Sequence, residues 1–354
     1  MARSNIARLI NARPSEIIFT AGGTESVNLA IFGIARAARM NTDKKTDEHG
    51  GHLIASAVEH HCVINSLEAL EQEGYKTSLV PVDGNGFINM DKLKSAIRPE
   101  TILISVMLAN NEIGTIEPIV DISKMVARIN TERGRHGLTR ILLHTDACQA
   151  SGFLDLDVNH LGVDLMSVNG SKIYGPKQAG FLYVRSGVKI KPLIFGGGQE
   201  NGLRSGTENV AGIVGLATAF ELAQKNKVKE TKRLLKLRDS LINKIIKQTP
   251  NVTLNGPKQN RLPNNINFSI KGVEGEALML YLDSYGICAS TASACSTGST
   301  EASYVLLGVG KTPKEAKSSI RFSLGKSTTQ KEINYLIKLL PNLILELRKV
   351  KNIL

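Results

Sequence analysis

The stretch "TILISVMLA", residues 101–109, is apolar at most positions and decides the expected fold. A strand with one wet face alternates apolar and polar side chains, whereas a strand covered on both faces is apolar almost throughout. The runs "RILLHTDA" (140–147), "VDLMSVN" (163–169) and "AGFLYVR" (179–185) have the same character. Such strands are typical of a mostly parallel sheet with helices on both sides, and they predict the α/β class.

Helical patterns alternate with these strands in the first two-thirds of the chain. "SEIIFT" (15–20) leads through two glycines into a helix predicted from about Thr24 to Met40, and "HLIASAVE" (52–59) leads into one through Cys62–Glu73. Ligands of such sheets bind beyond the carboxyl ends of the strands. The residues with distinctive chemistry in this sequence lie at those ends.

The 354 residues are enough for two domains. A large sheet domain would occupy 1–227 and would include a long glycine-rich loop, "IFGGGQENGLRSGT" (194–207), followed by a long helix. A smaller α+β domain over 228–354 would begin with a separate basic amphipathic helix. Two strand patterns, "NNINFSI" (264–270) and "SIRFSLG" (319–325), and the helices around them complete that domain.

The net charge of +12 invites a nucleic-acid interpretation, which the distribution of the charge does not favour. The lysines and arginines at 223–247 alternate with leucine and isoleucine at helical spacing, as on the solvated face of an amphipathic helix. The sequence has no zinc-finger spacing, no RNA-recognition signature and no run of five like charges. Direct nucleic-acid binding is therefore not expected, and an acidic protein partner or an anionic ligand fits the charge as well.

Composition indicates the compartment in which the chain would work. Apolar residues make up 42%, and no run approaches the roughly 20 apolar residues that span a bilayer. The N-terminus has no apolar signal core, and the four cysteines form no C-x-x-C pair. These features predict a cytoplasmic protein in a reducing compartment, without a membrane partner.

Three motifs at predicted strand ends have candidate chemistry. In "TAGGTES" (20–26), the N–H groups of Gly23 and Thr24 and the Thr24 hydroxyl could hold a phosphate or merely cap a helix. In "HTDACQ" (144–149), Asp146 ends an apolar strand, where it would either meet a cation or cap a helix. In "VNGSKIYGPKQAGF" (168–181), Lys172 lies between turn residues, as a surface lysine or as a shielded, nucleophilic amine.

Together the three motifs describe a site for pyridoxal 5'-phosphate. The glycine motif would hold the phosphate, Asp146 would pair with the pyridine nitrogen, and Lys172 would form the Schiff base. Lys172 follows Asp146 by 26 residues, about one strand unit, so the two side chains can meet at the same edge of the sheet.

Eight motifs in order along nearly the whole chain resemble those of the cysteine desulfurases of the NifS/IscS kind. These are pyridoxal phosphate enzymes of the aminotransferase-like (type I) fold, with a large, mostly parallel sheet domain and a smaller α+β C-terminal domain. The motifs are "TAGGTESVNLAI", "VEHH", "NNEIG", "HTDACQ", "SKIYGPK", "GGGQENGLRSGTENV", "SACSTGSTEASYVL" and "SIRFSLG".

The resemblance implies roles around the cofactor. His60 would stack on the ring and transfer protons, although a core or surface histidine is the alternative. Gln149 would bind the ring hydroxyl, and Asn169 and Ser171 would contact the phosphate. No metal site is expected, because the adjacent His60 and His61 cannot readily ligate one ion.

The resemblance also implies residues for the substrate and for a second subunit. Asn111 would contact the substrate carboxylate or the cofactor. Arg321 would clamp the substrate carboxylate with its planar guanidinium, since an arginine in an apolar strand is better explained by such a role than as a surface charge. Thr207 would reach the phosphate of the neighbouring subunit, which implies a homodimer.

The resemblance places the sulfur-accepting nucleophile at Cys295. This residue lies in "ASTASACSTGSTEAS" (289–303), where small residues predict a mobile loop with an exposed thiol. Cys288 follows a strand pattern and is expected in the core. Cys148 stands where the family usually has threonine and is expected to be a packing substitution.

Two features depart from the family pattern. Family members usually begin earlier, with an Asp-Asn-Ala-Ala-Thr-Thr stretch near the site, so an N-terminal segment is expected to be absent here. The usual Ser-Gly-His before the lysine is Asn169-Gly170-Ser171, which removes a histidine contact and favours a lower cofactor affinity.

The sequence thus predicts a homodimeric enzyme that converts L-cysteine to L-alanine and leaves a persulfide on Cys295. The sulfur would pass to an iron–sulfur scaffold protein or to another sulfur acceptor, such as one for tRNA thiolation. Two alternatives stay open. One is a selenocysteine lyase or aminotransferase of the same fold, and the other is a non-catalytic family member that acts as a binding partner.

Overall fold

The computed structural model describes residues 1–41, 51–291 and 301–351. Its strands form one sheet of seven and one of three. The strands of the larger sheet are β1 (Ile17–Thr20), β2 (His52–Ser56), β3 (Lys76–Val80), β4 (Thr101–Ser105), β5 (Leu142–Asp146), β6 (Leu165–Asn169) and β7 (Gly180–Val184). Those of the smaller sheet are β8 (Val252–Leu254), β9 (Asn265–Ile270) and β10 (Ser319–Ser323).

Helices alternate with these strands along the chain. The α-helices are α1 (Ala2–Leu9), α2 (Gly23–Asn41), α3 (His61–Gln72), α4 (Met90–Ala96), α5 (Ile119–Arg135), α6 (Val158–Leu161), α7 (Val210–Gln248), α8 (Gly275–Ser284), α9 (Tyr304–Gly308), α10 (Pro313–Lys317) and α11 (Gln330–Lys351). Short 3-10 helices occur at Pro14–Glu16, Gly170–Ile173 and Glu200–Gly202. None of the helices in the described ranges is long and apolar enough to cross a membrane.

The larger sheet has the strand order β1-β7-β6-β5-β4-β2-β3 and is mostly parallel. Strands β2 to β6 run parallel to one another, whereas β7 is antiparallel to both β6 and β1. Every residue of β2, β4 and β7 is buried, as strands covered on both faces require. The predicted α/β fold with a mostly parallel sheet is confirmed.

The described chain forms two compact units. The first contains Met1–Pro81, Ile88–Ala109 and Glu117–Lys227, and it holds the larger sheet. The second contains Val82–Phe87, Asn110–Ile116 and Val228–Leu354, and it holds the smaller sheet. The segments Val82–Phe87 and Asn110–Ile116 of this second unit lie within 1–227, the range predicted for the larger domain. The predicted division of the chain into domains 1–227 and 228–354 stays a prediction.

The longest helix differs from its prediction. Two helices were expected between 208 and 248, with the second beginning near 228, but α7 is one helix of 39 residues. Neither glycine nor proline occurs in 216–248, so no residue in that stretch interrupts the intrahelical hydrogen bonds.

The turn between β1 and α2 lies directly against the start of β7. A Cβ atom at Gly180 would lie 2.7 Å from the Cα atom of Gly22 and 2.7 Å from the carbonyl oxygen of Val168. Gly22 has a φ of +145°, which side-chain-bearing residues rarely adopt. The Ala21 N–H donates to Glu25 Oε2 at 2.8 Å and closes the turn onto the helix. Backbone contacts therefore hold the turn in place.

Replacing Gly180 with alanine is expected to destabilise the first unit. The new Cβ would meet backbone atoms, which cannot move aside as a flexible side chain can, so the free energy of unfolding should fall by about 1–3 kcal/mol. Denaturant unfolding measures this change. Gly134→Ala is the control, because Gly134 lies in α5 with open space around it and alanine favours helix there by up to about 1 kcal/mol. Equal effects of the two substitutions would contradict the steric explanation.

Candidate active site

Asp146 is a buried carboxylate at the C-terminal end of β5. Asp146 is only 7% exposed, and its Oδ1 accepts the Cys148 N–H at 2.9 Å. The expected burial is thus observed. Burial raises the pKa of the Cys148 thiol, and the charge of Asp146 raises it further. A negative charge held in this setting favours a cationic neighbour.

Lys172 lies one strand further along the chain, in the 3-10 helix that follows β6. Because β5 and β6 are parallel neighbours, Lys172 and Asp146 lie at the same edge of the sheet. The Lys172 side chain is exposed in the single chain, and its role as a shielded, nucleophilic amine stays a prediction. The reason for its exposure is local: Ser171 and Tyr174 beside it are also exposed, and the helix ends there.

His60 caps α3 and has a defined protonation state. Its Nδ1 accepts the Cys62 N–H at 3.2 Å and lies 3.0 Å from Cys62 Sγ. Because Nδ1 acts as an acceptor, the proton of the neutral ring is on Nε2. Burial lowers the pKa of His60, whereas the charge of Asp146 opposes that shift. The ring is therefore neutral near pH 7, with Nε2 as its donor.

The glycine turn provides donors for an anion. α2 begins at Gly23 and is 19 residues long, so its first-turn N–H groups point out of the helix beside the exposed Thr24. A Cβ at Gly23 would lie 2.7 Å from Cys148 Sγ and 3.4 Å from the Cβ of Asn169. Asn169 Oδ1 in turn accepts the Ser171 N–H at 3.2 Å and its hydroxyl at 3.1 Å. Cys148 thus packs against the turn, as expected of a packing substitution.

Thr207 adjoins this turn in the first unit. Thr207 is exposed and lines a cavity of about 220 Å³ together with Thr20 and Ala21, which lead into the glycine turn. Arg204 lines the same cavity and donates from Nε to Glu25 Oε1 at 2.9 Å. Gln149 is half-buried, three residues after Asp146.

Asn111 and Arg321 are in direct contact within the second unit. Arg321 lies on β10, and its Nη1 donates to the Asn111 carbonyl oxygen at 3.0 Å. The backbone of Arg321 also pairs with Ser290, with N–H···O distances of 2.7 and 3.1 Å. The two residues assigned to the substrate carboxylate are therefore held together.

The cysteines differ from expectation at one position. Cys288 is exposed and lies in no strand, so its expected place in the core is wrong. The chain leaves α8 through a turn at Gly286, and only Ser290 pairs with β10 as an isolated bridge. Cys295, the predicted nucleophile, lies outside the described residues.

Glu59 is a buried residue beside the site that the sequence motifs did not indicate. This carboxyl is fully buried, and its Oε1 accepts the Met107 N–H at 2.7 Å. Burial raises its pKa, and the charge of Asp146 raises it further. The sequence signal for its burial was the position of this glutamate at the end of a mostly apolar strand pattern, "HLIASAVE" (52–59).

A helix N-terminus behind two glycines, a buried carboxylate at a parallel strand end and an amine one strand further on define an aminotransferase-like pyridoxal phosphate enzyme. The model of the family described as aminotransferase class-V matches residues 1–336. The chain is 48% identical over 349 residues to a cysteine desulfurase IscS of Dictyoglomus turgidum, covering 99% of this chain and 84% of the relative. It is 46% identical over 352 residues to one of Clostridium botulinum, with 99% and 84% covered.

Solved structures agree with this assignment. A NifS-like protein superposes with a TM-score of 0.85 and 33% identity, and the match covers 100% of this chain and 87% of that one. The chain therefore belongs to the aminotransferase class-V family and, within it, to the cysteine desulfurases.

The residues present fit the cofactor on which this family depends, pyridoxal phosphate. Asp146 is a buried anion suited to a protonated ring nitrogen, and the α2 N-terminus suits a phosphate. Lys172 offers an accessible amine at the end of the adjacent parallel strand. Within the described ranges, no group of three or more histidine, cysteine or acidic residues could hold a metal, and the absence of a metal from the protein stays a prediction.

Replacing Asp146 with asparagine is expected to weaken pyridoxal phosphate binding by about 10- to 100-fold. The substitution removes a charge-assisted hydrogen bond to the ring nitrogen, worth about 1.5–3 kcal/mol. The dissociation constant of the cofactor, obtained by absorbance titration of the cofactor-free protein, measures the effect. Asp157→Asn is the control, because Asp157 caps α6 by accepting the Asn159 and His160 N–H groups. Equal affinity in the Asp146 and Asp157 variants would contradict the assignment.

Proposed function

We propose that this protein is a cysteine desulfurase that converts L-cysteine to L-alanine and leaves a persulfide on Cys295. The observation that carries this proposal is the placement of buried Asp146 and exposed Lys172 at the same ends of two adjacent parallel strands, β5 and β6. Family membership supplies the type of reaction, and the site supplies the groups that the reaction needs. A cytoplasmic location fits the sequence composition.

The chain's own residues would perform the proton transfers. When bound, pyridoxal phosphate supplies an aldehyde that combines with amines and a ring that withdraws electrons from the substrate α carbon. Asp146 would hold a proton on the ring nitrogen, because burial leaves its charge without water to compensate it. Lys172 would move protons at the α carbon, and His60 would donate from Nε2 and accept a proton back.

The sulfur step requires a thiolate near the substrate. Cys295 would attack the substrate sulfur, so that a sulfur–sulfur bond forms while the substrate carbon–sulfur bond breaks. The substrate β carbon gains a proton, and the products are L-alanine and a Cys295 persulfide, with no external oxidant or reductant. A later thiol of an iron–sulfur scaffold protein or of another acceptor would take the terminal sulfur.

Arg321 and Asn111 would bind the substrate carboxylate in the second unit. The Arg321 guanidinium is fixed by its hydrogen bond to the Asn111 carbonyl, which restricts the orientation of its remaining N–H donors. A planar guanidinium forms parallel hydrogen bonds to both oxygens of a carboxylate. This contact would select amino acids with a free α-carboxylate.

The proposed enzyme is a homodimer in which Thr207 serves the neighbouring active site. Apolar side chains are exposed on both sides of Thr207: Phe195 is 78% exposed and Val210 is 66% exposed. The Ser205 N–H donates to the Ile194 carbonyl at 3.4 Å and brings the two parts of this loop together. Burying such side chains against a second copy removes apolar surface from water.

Production of L-alanine and sulfide from L-cysteine tests the function. With pyridoxal phosphate and a thiol reductant, the two products should form in equal amounts. Cys295→Ser should lower alanine turnover by about two orders of magnitude or more, because it removes the sulfur acceptor. Cys288→Ser is the control, since Cys288 is the exposed cysteine of the described residues and should be dispensable. Unchanged turnover in Cys295→Ser would favour an aminotransferase, and no alanine from the wild type would favour the binding-partner alternative.

Sedimentation tests the proposed dimer. Phe195→Asp should weaken self-association by about tenfold or more, because a charge would replace an apolar contact in the interface. Leu280→Asp is the control, since Leu280 is 66% exposed but lies in the second unit, far along the chain from Thr207. A wild-type monomer, or equal dissociation of both variants, would contradict this interface.

A further inference from the structure

Two buried asparagines of β9, Asn265 and Asn267, hold the turn that contains Asn111. The side-chain Nδ2 atoms of Asn265 and Asn267 donate to the Glu112 carbonyl oxygen at 3.1 and 3.0 Å. Asn265 Nδ2 also donates to the Asn111 carbonyl oxygen at a longer distance of 3.5 Å. The Glu112 carbonyl therefore uses both of its lone pairs on side chains of β9.

Arg321 lies on the face of the smaller sheet that meets this turn. It is directly opposite Asn267 in the antiparallel pairing of β9 and β10, and directly opposed residues direct their side chains to the same face. The two side chains donate to consecutive carbonyls, since Arg321 Nη1 bonds that of Asn111 and Asn267 bonds that of Glu112. One short stretch of backbone thus connects the asparagines to the guanidinium.

Contacts behind the two asparagines fix the direction of their amides. Asn265 Oδ1 accepts Arg261 Nη2 at 2.9 Å, and because a guanidinium has donors only, the Nδ2 of Asn265 is left to face the turn. Asn267 Oδ1 accepts Asn255 Nδ2 at 2.9 Å, which directs its own Nδ2 to the Glu112 carbonyl in the same way. Each asparagine is therefore held at its oxygen and donates from its nitrogen.

The turn itself is closed and packs tightly on β9. Asn110 Oδ1 accepts the Glu112 N–H at 2.8 Å. Gly114 has a φ of +75°, and a Cβ atom there would lie 2.8 Å from Oδ1 and 2.9 Å from Cβ of Asn265. The Asn111 carbonyl therefore belongs to a backbone segment that is fixed on both sides.

We propose that Asn265 and Asn267 are positioning residues for the substrate carboxylate, because they fix the Asn111 carbonyl that orients the Arg321 guanidinium. This inference rests on the proposed function, since it takes Arg321 as the carboxylate ligand. A guanidinium bonds both oxygens of a carboxylate only when its plane is correctly directed, and one that is already held loses less orientational freedom on binding. Without these donors the turn is free to shift, and the guanidinium loses its direction.

Binding of L-alanine and of L-alaninamide to the holoenzyme tests the proposal. The two ligands differ at the carboxylate, so the ratio of their dissociation constants, measured by calorimetry, reports on that group alone. Asn267→Ala should reduce the preference for L-alanine by about three- to tenfold, as the loss of one neutral hydrogen bond predicts. In turnover of L-cysteine, KM should rise by a similar factor while kcat stays within about twofold.

Ser269→Ala is the matched control for a general loss of packing. Ser269 is a buried residue of β9 whose hydroxyl donates to Asn255 Oδ1 and to the Glu315 carbonyl, so its loss removes buried hydrogen bonds from the same strand but none to the turn. This variant should keep the wild-type ligand preference. Asn265→Ala removes the other donor to the same carbonyl and should act as Asn267→Ala does, which provides a measurement if one of the two variants does not fold.

A double variant separates this inference from the proposed function. If Asn267 acts through Arg321, adding Asn267→Ala to Arg321→Ala should change the ligand preference little further. A wild-type preference in Arg321→Ala would overturn the carboxylate assignment made in the proposed function. A reduced preference in Arg321→Ala, with a wild-type preference in both asparagine variants, would overturn the inference alone. A full additional loss in the double variant would also overturn it, because Asn267 would then act independently of Arg321.

Discussion

A negative charge kept out of water at the end of a parallel strand is the constraint on which the first unit depends. Asp146 is 7% exposed, and its charge shifts the pKa of the titratable groups around it. Burial, together with the charge of Asp146, raises the pKa of Glu59 and of the Cys62 and Cys148 thiols. The two thiols are therefore held in their protonated, unreactive form. Such a setting is selective for a cation brought by a ligand, and it leaves sulfur chemistry to a cysteine elsewhere.

Much of the first unit could be predicted from apolar runs, because buried strands and amphipathic helices leave clear periodic patterns. The prediction failed where a strand is only partly buried and where a helix was assumed to end. β3 was not predicted, since "KTSLV" (76–80) forms an edge strand with mostly half-buried residues. α7 was divided in two because its residues become strongly basic near 228, although a change of composition does not end a helix. Cys288 was predicted to lie in a strand, but the chain turns at Gly286 after α8 and Cys288 lies in no strand.

The candidate site could be predicted only in part, and the reason is physical. Asp146 follows an apolar strand, so its burial is visible in the sequence. The exposure of Lys172 depends on how a short 3-10 helix ends, which no periodic pattern records. Glu59 is buried with its Oε1 on the backbone N–H of Met107, 48 residues further along the chain. Contacts at such separation are set by tertiary packing, which no local pattern in the sequence records.

The close approach of Gly180 to Gly22 has a consequence for the kinetics of phosphate binding. The glycine turn is ordered by backbone contacts that form when β7 pairs with β1, so its conformational entropy is lost during folding. A phosphate then meets a preorganised turn and need not order a loop. Association with the anion should accordingly be fast in this protein, and any affinity lost through Asn169-Gly170-Ser171 should appear as a shorter residence time of the bound ligand.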